Sequence, residues 1–239
     1  NRSFEATLQN GIEIAVTIRR FLSLDLDEVG VIHYEIIPLN SAVQIVYKPY
    51  IDAGVTNEDA NWDEKFWEPL ETKHTENEAF VSAQTFKTHF KVTTFMQNSI
   101  WSDEKRLHLS PETVWTTAEK IQFSYPVAVA QNSKSSIQKI GGYTVSLHHE
   151  NTLLAAEKAI QTAVSLGFKQ MLQNQIEAWS KIWEMSDITI EGDVKAQQGI
   201  RFNIFQLNQT YLGKDSRLNI GPKGFTGEKY GGSTYWDTE

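Results

Sequence analysis

Apolar and polar residues alternate from the first residues of the chain. Phe4, Ala6 and Leu8 take every second place, and Asn10-Gly11 then supplies a two-residue turn of the kind that closes hairpins. Ile12, Ile14, Val16 and Ile18 continue the alternation and leave Glu13, Thr17 and Arg19 for the opposite face. Two further strands are predicted at Val31–Ile37 and Val43–Tyr50, with Pro38 and Asn40 between them. A pair follows within Ala79–Met96, rich in Thr and Phe, and two more strands at Ile121–Val129 and Tyr143–His148. Many closely spaced strands with no helical pattern between them predict a large antiparallel β-sandwich over residues 1–150.

The period changes near Asn151. Ala155, Ala156, Ala159, Ile160, Ala163 and Val164 recur at helical spacing. Phe168, Met171, Leu172, Gln175, Ile176, Trp179, Ile182 and Trp183 then draw an apolar stripe along one helix face. Ile188-Thr189-Ile190 reads as a short strand-like piece, and Asp193 stands where it can cap a helix over Val194–Leu212. Gly213 occupies a C-terminal capping place. Residues 151–192 are thus expected to form a helical linker, and residues 193–239 to begin a further domain. Five glycines (Gly221, Gly224, Gly227, Gly231 and Gly232) crowd the final stretch, where backbone can approach a ligand closely.

Composition sharpens this picture in a few places. The chain has 239 residues, of which 40% are hydrophobic and 22% charged, enough apolar surface for a packed core. The net charge of -8 and the lack of a basic run argue against a nucleic-acid partner. The absence of cysteine excludes a disulfide scaffold, a thiolate metal site and a cysteine nucleophile. No apolar run reaches bilayer length, and no signal-peptide pattern opens the chain. A cytoplasmic protein with no membrane partner is the expectation. The chain opens at Asn1-Arg2-Ser3-Phe4 inside a strand pattern and closes at Tyr235-Trp236-Asp237-Thr238-Glu239, its most chemically loaded stretch. It therefore reads as a piece of a larger protein, with the sandwich incomplete at its start.

Several motifs have both a chemical and a plain reading. The run Gly221–Gly232 lacks the closing Gly-Lys-Ser/Thr of a phosphate loop, and it lacks the strand and helix that flank a dinucleotide fingerprint. It is either a surface loop or a loop shaping a pocket; Phe225, Tyr230, Tyr235 and Trp236 favour the pocket, since four aromatics call for packing partners. Trp236 beside Asp237 suits a sugar, whose apolar face stacks on indole while its hydroxyls donate to carboxylate; a structural Trp with solvated acids is the alternative. Asp59–Asp63 begins like a calcium loop, but Glu64 and Leu70 stand where Gly and Glu are required. An acidic loop carrying Trp62, Phe66 and Trp67, packed over a neighbouring domain or a site mouth, fits better. None of the six histidines forms a helical zinc pair, and no serine sits in a nucleophile elbow. No metal and no cofactor are expected. Asn208-Gln209-Thr210 fits a glycosylation sequon but falls inside a predicted helix, and is discounted.

The block Leu218–Glu239, with its Lys223-Gly224-Phe225 and Gly231-Gly232-Ser233-Thr234-Tyr235 segments, resembles the inverting disaccharide phosphorylases that act on α-glucosides. That family includes maltose, trehalose and kojibiose phosphorylases, and the two segments are most similar to maltose phosphorylase. Arg2–Ala6, Gly167-Phe168, Trp179 with Trp183, Ile190–Asp193 and Gln197–Phe202 share the resemblance, which extends over essentially the whole chain. It implies an N-terminal sandwich, a linker helix over Phe168–Trp183 and an (α/α)6 barrel whose first helix is Val194–Leu212. It further implies that Trp236 stacks near the non-reducing glucose, that Asp237 accepts hydrogen bonds from its hydroxyls, and that Phe225 and Tyr235 line the same subsite. Homodimers are common in the family.

Inversion sets the implied chemistry. A protonated carboxyl donates to the glycosidic oxygen while a nucleophile attacks the opposite face of the ring. A hydrolase needs a second carboxylate to activate water; a phosphorylase does not, because inorganic phosphate is itself anionic and needs only donors to hold it. The expected products are β-glucose 1-phosphate and glucose. By resemblance the general acid and the phosphate ligands lie beyond Glu239, so no catalytic residue is assigned here and the isolated chain is expected to be inactive. Two alternatives remain open at this stage: an inverting glucoamylase-like hydrolase, and a stand-alone carbohydrate-binding sandwich. The latter requires maltose affinity in residues 1–150; none is expected, since the sugar-reading residues lie at the other end.

Overall fold

The computed structural model describes residues 1–56 and 65–217. The described residues fall into two compact units, one of residues 1–55 with 66–175, the other holding residues 56, 65 and 176–217. In chain order the first carries β1 (Arg2–Thr7), β2 (Glu13–Leu22), β3 (Val29–Pro38), β4 (Val43–Tyr47), β5 (Tyr50–Asp52) and β6 (Trp67–His74). It continues with β7 (Glu78–Thr85), β8 (Lys91–Ser102), β9 (Lys105–Leu107), β10 (Thr113–Thr116), β11 (Lys120–Val129) and β12 (Ser135–Val145). Helix α1 (Thr152–Ser186) runs on into the second unit, which also holds α2 (Val194–Thr210).

The strands build an 8-stranded sheet of order β1-β2-β3-β12-β8-β7-β6, with β9 paired to β8, and a 4-stranded sheet of order β10-β11-β4, with β5 paired to β11. All pairings described are antiparallel. The large sheet is covered on both faces, and the period of two sorts its residues between them. Ala79, Val81, Met96, Ile100 and Ile137 face the small sheet's Ile121, Phe123, Tyr125, Val127 and Val129. Their neighbours Phe80, Phe95 and Ile140, with Val29 and Val31, face Ala156, Ile160, Ala163 and Met171 of α1. The expected sandwich is present, and the first half of α1 is part of its packing.

Local chemistry explains where strands begin and break. Asn10-Gly11 makes the predicted hairpin turn, with Gly11 at φ 80° and Phe4 opposite Val16. The predicted single strand Val43–Tyr50 is divided at Lys48-Pro49: β4 pairs with residues 125–129 of β11 and β5 with residues 120–122. Proline has no N–H to give to the ladder. The predicted strand Tyr143–His148 begins earlier and ends earlier than expected, because β12 starts at Ser135 and ends at Val145. Its buried Ser135, Ser136, Gln138 and Thr144 hide the apolar pattern. β6 falls in a stretch read as loop: it is polar, lies at the sheet edge, and carries a register shift between Pro69 and Glu71.

α1 is bent at Gly167, which holds φ 72° and ψ 164°. This break separates the alanine-rich stretch from the Phe168–Trp183 stripe, as the two sequence patterns suggested. Ile188-Thr189-Ile190, expected as a strand, forms none. The Gln197 side chain holds it instead, accepting from Ile190 N at 2.6 Å and donating to Ile188 O at 2.8 Å. Asp193 caps α2 as predicted, its Oδ1 accepting from Ala196 N at 3.0 Å. The C-cap is Tyr211, whose N–H donates to Leu207 O; Gly213, predicted for that role, stands two residues further on at φ 66°.

Candidate functional site

The residues expected to read the sugar, Phe225, Tyr235, Trp236 and Asp237, lie outside the described residues, as does the whole glycine run. So do Asp59–Asp63, Trp62 and Glu64. Phe66 is exposed, while Trp67 opens β6 and packs its ring 6.4 Å from that of Phe90. Among the described residues no group of His, Asp and Glu could hold a metal ion. Among them, too, no helix is long and apolar enough to cross a membrane.

The structure does describe the elements that lead toward the predicted loop. Within the second unit, Trp179 stacks with Trp183 at 6.2 Å and with Phe205 of α2 at 5.1 Å. Arg201 makes a bidentate pair with Asp187, Nε to Oδ1 at 2.9 Å and Nη2 to Oδ2 at 2.6 Å. The hydrogen bonds from that guanidinium hold the Asp187 carboxyl below the usual range, and the carboxylate raises Arg201 in turn. Asp193, Gln197 and Arg201 thus fix the entry to α2 through the cap, the tie to residues 188–190 and the ion pair. The sequence had signalled only the cap. Gln197 and Arg201 stand one helical turn apart, so both reach back along one face to the segment before the helix.

Among the described residues, the first unit contains at least a groove and a polar cavity of its own. One is a groove of about 470 Å³ beside the start of α1, lined by Leu26, Glu28, His149, Leu154 and Lys158 among others. His149 Nε2 lies 2.8 Å from Glu28 Oε1 there. The other is a polar cavity of about 160 Å³ between the β6–β7 turn, β8 and the segment from β9 to Ser110. Asn98 reaches it from β8 and is 3% exposed, and both its amide atoms lack a partner. Sequence reading did not single out Asn98. The signal was the polar triplet Gln97-Asn98-Ser99, set between the apolar pairs Phe95-Met96 and Ile100-Trp101 of β8.

The histidines resolve into separate local roles. His33 is half-buried against Phe168, with ring centroids 5.1 Å apart, and burial lowers its pKa. His74 sets its ring edge-on to Phe123. His89 sits in a turn at φ 51°, and His108 borders the polar cavity.

Against this geometry, the description "Glycosyl hydrolase family 65, N-terminal domain" matches residues 1–182, and "Glycosyl hydrolase family 65 central catalytic domain" matches residues 201–239. The chain belongs to glycosyl hydrolase family 65. It is 37% identical to maltose phosphorylase of Bacillus subtilis (strain 168) over 230 residues, which is 95% of this chain and 30% of that protein. Against α,α-trehalose phosphorylase of Thermoanaerobacter brockii it is 28% identical over 238 residues, again 95% of this chain and 30% of the relative. A solved structure from the human microbiome, assigned as a kojibiose phosphorylase, superposes with a TM-score of 0.82 at 22% identity. That superposition covers 99% of this chain and 30% of the solved one, and it shows a shared fold. The chain spans about 30% of the length of the curated relatives it matches.

Proposed function

We propose that the protein containing this chain is an inverting disaccharide phosphorylase that cleaves maltose with inorganic phosphate to β-glucose 1-phosphate and glucose. The observation that carries the reading is the continuity of the likeness. A relative named maltose phosphorylase aligns with nearly all of the chain, across the sandwich, the helices and the glycine-rich block alike. In this reading residues 1–150 are the N-terminal sandwich, 151–192 the helical linker and 193–239 the first helix and site loop of an (α/α)6 barrel. Trp236 stacks on the non-reducing glucose, Asp237 accepts from its hydroxyls, and Phe225 and Tyr235 complete the subsite.

The general acid and the phosphate ligands belong to the longer protein, and no residue of this chain takes either role. Phosphate serves as co-substrate and nucleophile, so the acid needs no partner base. The longer protein is expected to act as a cytoplasmic homodimer. The deciding experiment incubates that longer protein with maltose, with and without phosphate, and follows the anomeric protons by NMR. β-Glucose 1-phosphate formed only with phosphate is the expected result. Glucose release in its absence would replace the reading with an inverting hydrolase.

A further inference from the structure

The edges of the two sheets are built differently. In the large sheet β1 carries Arg2 and Glu5, and β6 carries Pro69 with Glu68, Glu71, Lys73 and a register shift. Charges, proline and bulges keep an edge from pairing with another chain. β10, an edge of the small sheet, has none of these devices. It reads Thr-Val-Trp-Thr, all four residues are exposed, and Trp115 at its middle is 51% exposed.

Hydrogen bonding around β10 decides which backbone groups are left over. Thr117 N donates to Lys120 O at 2.8 Å, so the register makes Trp115 with Gln122 and Thr113 with Ser124 the hydrogen-bonded pairs. On its far side β11 uses the alternate residues: Phe123 N donates to Pro49 O at 3.0 Å, and Glu119 O accepts from Ala53 N at 2.8 Å. The N–H and C=O groups of Val114 and Thr116 therefore point away from β11, and among the described residues no hydrogen bond reaches them. Side chains alternate as well: Val114 lies opposite the core residue Phe123, and Trp115 opposite Gln122 on the outer face.

A second copy of the same strand fits what remains. Antiparallel partners must face the same side of a sheet, and the free groups of one strand must meet those of the other. The register that uses both residues of both copies puts a twofold axis at Trp115. Val114 of each copy then pairs with Thr116 of the other, giving four backbone hydrogen bonds. Trp115 meets its own counterpart in the closer, non-hydrogen-bonded place, where side chains approach most nearly. Thr113–Thr117 carries no charge, so no like charges are brought together. The outer row Trp115–Gln122–Tyr50 becomes continuous with its counterpart. Its rings are already held: the Lys120 ammonium, paired with Asp52 at 3.0 Å, lies 5.1 Å from the Tyr50 ring and 5.7 Å from that of Trp115. β4, the other edge of the small sheet, presents no exposed aromatic, since its Tyr47 is buried.

We propose that this chain associates with a second copy of itself through β10, joining two small sheets into one across a twofold axis at Trp115. The homodimer expected of the longer protein thereby gains an interface within the sandwich. The interface does not rest on the proposed phosphorolysis, and failure of either leaves the other standing.

Sedimentation velocity of the 239-residue chain between roughly 10 μM and 1 mM, the weak end of the affinity scale, should show monomer passing into dimer. Amide hydrogen exchange over the same range should slow with concentration at Val114 and Thr116 and stay constant at Trp115, which is already engaged with Gln122. Thr116→Pro removes an N–H that β11 does not use, so its urea midpoint should match the wild type while the dimer is lost. Trp115→Ala leaves every backbone group in place and should weaken the dimer roughly tenfold or more. A monomer at every concentration overturns the proposal. So does a Thr116→Pro chain that dimerises like the wild type, or a dimer whose concentration-dependent protection falls at Gln44 and Val46 of β4.

Discussion

Gly142 shows how one backbone contact dictates a residue. A Cβ built there would lie 1.7 Å from Glu28 O, the carbonyl that also accepts from Tyr143 N at 3.2 Å. The contact is with backbone on both sides, Gly142 within β12 and Glu28 in the turn that leads into β3. Gly142→Ala should cost about 3 kcal/mol, the upper end of overpacking effects, measured as a lowered urea midpoint. A loss within experimental error would mean that the 23–28 connection moves freely. The same glycine hid its strand from sequence reading. The strand was expected to begin at Tyr143, whereas β12 passes straight through Gly141 and Gly142. His33 gives a second residue-scale prediction. Burial lowers its pKa below the usual 6.5, Glu35 at 3.8 Å opposes that, and Arg19 and Lys134 reinforce it. The folded protein therefore releases this proton at a lower pH than the unfolded chain does. The stability His33 contributes is complete above about pH 6.5 and is lost as the pH falls from there toward the folded value. Urea midpoints at about pH 8 and about pH 5 should separate more in the wild type than in His33→Gln. An equal drop in both would assign the pH dependence to other groups.

At the scale of elements, α2 is held at its start by contacts that sequence can only partly announce. Asp193 was legible because a capping acid before a helical period is a local signal, and its bond to Ala196 N is the one expected. Gln197 was not legible. Its bonds to Ile188 and Ile190 replace the strand pairing that the Ile-Thr-Ile alternation suggested, and a three-residue alternation cannot tell a strand from a tethered turn. β6 was missed for a related reason: an edge strand with Pro69 and several charges has little apolar pattern to show. The cap can be tested by thermal denaturation. Asp193→Ala should lose about 1 kcal/mol, while Asp193→Asn, which keeps an accepting side-chain oxygen, should lose much less. Equal losses in the two variants would indicate that the charge at the helix N-terminus matters more than the hydrogen bond.

On the scale of the whole chain, the middle of the large sheet, at β7, β8 and β12, is buried on both faces, and this governs what can be cut away. The alternation of β1 and β2 was readable since polar residues mark one side, but β7 and β8 run Glu-Ala-Phe-Val-Ser-Ala and Thr-Phe-Met-Gln-Asn-Ser-Ile with apolar residues in adjacent places. Such a run reveals a strand and conceals how many layers cover it. The second layer is the first half of α1, and the glucose-reading block predicted at Trp236 and Asp237 lies outside the described residues, so neither its position nor its neighbours were open to comparison. Removing α1 would expose Val29, Val31, Phe80, Phe95 and Ile140 together on one face. Each fully buried side chain of this kind is worth roughly 1.5–3 kcal/mol, against a total stability of about 5–15 kcal/mol for a typical domain. A chain ending at Glu150 should therefore be unfolded or aggregated, whereas one ending at Gln175, which keeps Ala156, Ile160, Ala163 and Met171, should unfold cooperatively. Size-exclusion chromatography and urea unfolding of the two chains make the comparison. A monomeric Glu150 chain with the same urea midpoint as the longer one would show that the helix merely rests on the sheet.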